Sequence, residues 1–149
     1  MSEADSQASA DRAQQSLREH ISTIASSAFQ QYGPSLDYPT IQKVLLDRKV
    51  VRYPVTIVFD SGNLRDGEFA FAKQRGENPA DGFTLFIHPL FENEEENIPL
   101  LIAYHLVCIN YGDIVGSREA ELFGATLLGM DIDLYYQKLC ALADRLAVA

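Results

Sequence analysis

His105 and Cys108 stand three residues apart in the apolar stretch IAYHLVCINYG, residues 102–112. On a helix that spacing sets an imidazole and a thiol one turn apart on a shared face. Such a pair suits nitrogen and thiolate ligation of zinc, or a thiol nucleophile beside a base. A zinc site needs a full ligand set, and a nucleophilic thiol needs a lowered pKa. The flanking Leu106, Val107 and Ile109 make an apolar surrounding that raises it instead. The plain structural reading is a buried helix in which His105 is satisfied by a hydrogen bond and Cys108 packs as a small hydrophobe.

The elements that would hold these residues are legible in the spacing of apolar positions. Residues 1–10 read as a flexible polar tail and 11–149 as a single domain. Leu17, Ile21, Ile24 and Phe29 recur at helical spacing in a first helix that stops at Gly33-Pro34, and a shorter helix covers roughly 39–47. VVRYPVTIVFD, GEFAFAKQ and GFTLFIHP read as three strands separated by turn-forming clusters, together one small antiparallel sheet. From Phe91 the period becomes helical. Glu92, Glu94, Glu95 and Glu96 precede a helix with Pro99 in its first turn and Gly112 as its terminal cap, and they are expected to favour its positive end. Two further helices begin at Ser117 and Asp131, each an expected N-cap. Segregated strands and helices imply an α+β domain with helices packed on one face of the sheet.

Zinc hydrolases of the HExxH kind use two histidines four apart on one helix, a glutamate beside the first, and a third ligand from the next helix. The order of elements from about residue 53 to 130 resembles such a domain, a zincin-like metallopeptidase of the ImmA/IrrE type. In that family a strand, a hairpin and the HExxH helix are followed by a helix with the pattern E-A-N-x-F-A-x-x-L-L. E-A-E-L-F-G-A-T-L-L, residues 119–128, is similar to that pattern, and FTLFIHP resembles the strand before the active-site helix. HExxH itself is absent. Placing A-Y-H-L-V-C over the family's A-H-E-L-G-H puts Tyr104 at the first histidine, His105 at the general base and Cys108 at the second histidine. With His105 on the first histidine instead, Leu106 falls at the base and Ile109 at the second ligand. Either register loses the base. The first keeps more of the apolar pattern, and Glu119 then stands at the third ligand.

The resemblance implies a zincin-like fold that has lost peptidase chemistry and serves as a binding or regulatory module, with no metal expected. Its pocket would be lined by Tyr104, His105, Cys108, Glu119 and His88, and an extended protein or peptide partner would add to an edge strand. The second reading is a metal- or thiol-dependent hydrolase with His105 and Cys108 as catalytic candidates, and with zinc held by His105, Cys108 and Glu119. The third is a structural, homo-oligomeric subunit whose last helix docks through Leu134, Tyr135, Leu139, Leu142 and Leu146.

Composition narrows the partners. The 149 residues carry a formal charge of -9 without a basic run, which argues against nucleic acid. The acidic, Ser- and Ala-rich start is unlike a signal peptide, and no apolar run reaches the ~20 residues of a membrane span. Two cysteines, both in apolar helical segments, fit a cytoplasmic setting.

Overall fold

The computed structural model describes residues 3–34 and 36–148. It is an α+β fold of five helices and a three-stranded sheet. Helices α1 (Glu3–Tyr32) and α2 (Tyr38–Leu46) come first, followed by strands β1 (Val55–Phe59), β2 (Ala70–Gln74) and β3 (Phe83–Ile87). Helices α3 (Ile98–Tyr111), α4 (Ser117–Leu128) and α5 (Ile132–Val148) complete the chain. Among the described residues no helix is long and apolar enough to cross a membrane.

The sheet differs from the expected all-antiparallel arrangement. Its order is β1-β3-β2, with β2 antiparallel to β3 and β1 parallel to it. The loop between β2 and β3 makes the hairpin, but residues 60–69 carry the chain past the place beside β1, which β3 then fills. Alternation in a sequence reveals a strand and not its partner. In this register Ile57, Leu85 and Ala72 share the face that meets the helices, while Val58, Phe86 and Phe71 stand in a row across the opposite face.

Helix α1 starts at Glu3, well before residue 11, so the expected tail is helical over its described part; residues 1 and 2 lie outside the described residues. Its exposed residues 7–16 add no apolar contact, and packing begins at Leu17 and continues through Ile21, Ala25 and Ala28. Helix α3 is apolar on every side, with residues 98–103 all buried, which makes it the centre of the core. Pro99 lies in its first turn, and Gly112 caps it at φ +69°, where a side chain would be strained.

Three N-terminal expectations meet different fates. Asp131 Oδ2 accepts from the amides of Asp133 and Leu134 at 3.1 and 3.2 Å, the expected cap of α5. The cap of α4 is Gly116, and Ser117 is the first helical residue. The glutamates before α3 lie outside its first turn. Glu94 instead pairs with both terminal guanidinium nitrogens of Arg145 on α5 at 2.6 Å, which, with a hydrogen bond from Asn97, lowers its carboxyl to about 2.

Helix α5 turns Tyr135, Leu139 and Leu142 into the chain's own core and leaves Leu134 exposed. The buried Tyr135 hydroxyl donates to the Leu100 carbonyl at 2.7 Å. Its ring lies where a Cβ on Gly124 would be, so the absence of a side chain on α4 lets α5 seat against α3. Gly124→Ala is expected to destabilise the fold: overpacking costs about 1–3 kcal/mol against roughly 1 kcal/mol gained in helix propensity. Thermal melts should drop by about 2–6 °C, and a second substitution of Tyr135→Leu should recover part of the loss introduced by the alanine.

Candidate functional site

Tyr104 and Cys108, four apart on α3, belong to one side of the helix, and His105 turns toward the sheet. Its Nδ1 donates to the Leu101 carbonyl at 2.8 Å, and the Ala70 carbonyl of β2 lies against the ring as well. Burial lowers the pKa of His105, outweighing the two carbonyls that favour a protonated ring. The residue that approaches edge strand β2 from the helix layer is therefore a neutral imidazole committed to backbone.

Tyr104 faces a small cavity of about 160 Å3, with Phe69 from the chain leading into β2, Glu121 from α4, and Tyr136, Leu139 and Cys140 from α5. The Phe69 and Tyr104 rings meet edge to face, centroids 6.1 Å apart and planes at 88°. Burial first, and then the Glu121 carboxylate and Cys108, raise the Tyr104 phenol above its ordinary value. Cys108 lines a different cleft, with Tyr53, Ala72, Phe83 and Tyr111. It is exposed as a residue, yet partial desolvation by its neighbours, followed by the charge of Asp113, raises its thiol.

Glu119 goes elsewhere. It is buried at the start of α4, where its Oε2 accepts from the Gly116 amide at 3.1 Å, and its Oε1 faces Gln14 at 3.5 Å and Arg18 at 3.6 Å on α1. Its backbone and α1 hydrogen bonds hold its pKa down although burial acts the other way. His88 closes the turn after β3, its Nδ1 accepting from the Leu90 amide at 3.1 Å, and lines a cleft with Ser61, Arg65 and Leu146. The five residues expected around one pocket thus serve several sites. Helix α3 fixes Tyr104 and Cys108 on one side, and the early turn of α4 is consumed by its junction with α1.

The donor set does not fit zinc. Tyr104 and Cys108 line different clefts, and His105 and Glu119 are turned to other partners. Among the described residues no group of three or more His, Cys, Asp or Glu side chains is placed to hold a metal ion. Nor, among the described residues, is Cys108 paired with a base: the Nδ1 of His105 is taken by the Leu101 carbonyl.

Sequence reasoning missed Glu121, Tyr136 and Cys140 as neighbours of Tyr104. The available signal was a departure: Glu121 occupies the asparagine position of E-A-N. It missed Asn110 too. That buried side chain donates to the Val50 carbonyl at 2.7 Å and accepts from the Arg52 amide at 2.9 Å, tying the end of α3 to the segment that enters β1. Comparison with protein-family models, curated proteins and solved structures returned no match.

The state of His105 has a pH signature. Its folded pKa lies below the unfolded value, so the two states hold equal protons above about 6.5, and the unfolded chain takes up the proton first below that. Stability should therefore fall as pH drops from about 6.5 toward 5. His105→Gln should flatten that slope in melts recorded across the window, whereas an unchanged slope would assign it to other groups.

Proposed function

We propose that this chain is a non-catalytic, zincin-like binding module of the cytoplasm that takes an extended peptide along β1. The observation that carries the reading is the open edge of that strand. The Phe83 amide donates to the Pro54 carbonyl at 2.8 Å and the Asp60 amide to the Ile87 carbonyl at 3.1 Å, so even-numbered residues of β1 face β3. Val55, Ile57 and Phe59 then turn their amides and carbonyls outward, and among the described residues no backbone or side-chain partner meets them. An edge of this kind is a template for one more strand.

The opposite edge is less available, because His105 approaches the Ala70 carbonyl there. The element order, with a strand, a hairpin, an apolar helix and the E-A-E-L-F-G-A-T-L-L helix, supports a zincin-like shell. The protonated Tyr104 and Cys108 in place of ligands support a binding role over hydrolysis. A peptide groove needs edge and walls, while hydrolysis also needs an activated water.

A displayed library of random linear peptides tests this. Selected peptides should shift the amide resonances of Val55, Ile57 and Phe59 and be recovered uncleaved, with or without added zinc. N-methylation should weaken binding roughly 3- to 10-fold at alternate peptide positions, the period of a paired strand. Binders that tolerate N-methylation everywhere, or that leave those three amides unperturbed, would contradict the edge reading.

A further inference from the structure

The cavity beside Tyr104 has a composition that selects for charge. Phe69 and Tyr104, packed edge to face on each other, line it together with a third aromatic residue, Tyr136, which is 53% exposed. Leu139 is apolar, and Glu121 is the one carboxylate of the lining, which contains no basic residue. Aromatic faces carry negative electrostatic potential, so rings set around a small space attract a cation. Glu121 adds a full negative charge, and the -9 of the chain draws cations from a distance.

Size and chemistry limit the cation. At about 160 Å3 the space is below the ~300–1,000 Å3 of sites that enclose whole small molecules, so it suits a head group. A hard metal ion would require several oxygen ligands, and the described residues supply no such cluster. An anion would meet the charge of Glu121, and aromatic rings favour a cation over a neutral group of the same size. Arg18 and Arg118 line an adjoining cleft that shares Glu121 and Tyr136 with the cavity, and Arg18 is engaged by Glu119 at 3.6 Å.

We propose that the cavity formed by Phe69, Tyr104, Tyr136 and Glu121 binds an alkylammonium head group, held by cation–π contact with the rings and by the carboxylate. The same chemistry is offered by a free quaternary amine and by a methylated lysine side chain. The site uses no part of β1, and the edge reading and this one fail separately.

Tetramethylammonium chloride titrated into the protein at constant ionic strength, followed by amide and aromatic NMR shifts, is the first arm. Saturable shifts are expected around Tyr104, Glu121 and Tyr136, while 3,3-dimethylbutan-1-ol, the neutral isostere of choline, should bind at least about ten-fold more weakly than choline. Tyr136→Ala, at an exposed position, and Glu121→Gln should each weaken tetramethylammonium binding several-fold, with melts verifying that both variants fold. Choline and a trimethyllysine peptide form the second arm: tighter binding of the first assigns the site to a free amine, of the second to a lysine side chain. Absence of saturable binding, equal binding of the neutral isostere, or full affinity in both variants would overturn the proposal.

Discussion

A fourteen-residue helix without a polar face has to be covered over most of its surface, and the arrangement of this molecule follows from that requirement. Ile98, Leu101, Ile102 and Leu106 are wholly buried, a hydrophobic contribution on the order of 10 kcal/mol before the entropy of ordering is set against it. No single neighbour can enclose such a helix. The sheet covers it through Leu85 and Ile87, α4 through Phe123 and Leu127, and α5 through Tyr135 and Leu139, while α1 and α2 contribute Ile21, Ile41 and Val44 to the same core.

A central helix of this kind leaves little freedom for polar groups. Two of those on α3 are matched to backbone, His105 to Leu101, and Asn110 to Val50 and Arg52, while the buried Tyr111 hydroxyl meets no hydrogen-bond partner among the described residues. Such bonds remove the cost of burying polar atoms and at the same time fix geometry, since Asn110 sets the chain that enters β1. They also hold both side chains to the backbone. A catalytic imidazole needs a ring nitrogen free to move a proton, and the local environment of His105 offers a neutral ring between carbonyls. Tyr104 and Cys108 remain on the side that meets other elements, with protonation states suited to contact and not to metal ligation.

The elements were legible where one signal dominated. The period of α1, the caps at Gly112 and Asp131, and the alternation in β1 and β3 each depend on local chemistry that a sequence displays directly. The mixed sheet was not legible, because the path of residues 60–69 depends on where the helices leave room. Nor was the separation of Glu119 from α3. A glutamate three residues into a helix reads the same whether it faces a pocket or a neighbouring helix, and only the approach of α1, bringing Gln14 and Arg18, decides between them. The cavity at Tyr104 was hidden for a similar reason: Phe69, Glu121 and Tyr136 come from three elements and share no sequence motif.

The claim that α3 sits in a shell without peptidase chemistry is tested most directly by metal content. The chain, purified without a metal-affinity tag, would be analysed by mass spectrometry for zinc and other divalent metals, with melts recorded with and without a chelator. Metal far below one equivalent and an unchanged melting temperature are expected. Near-stoichiometric zinc with a melt that falls on chelation would contradict the claim, because a bound metal stabilises the state that holds it.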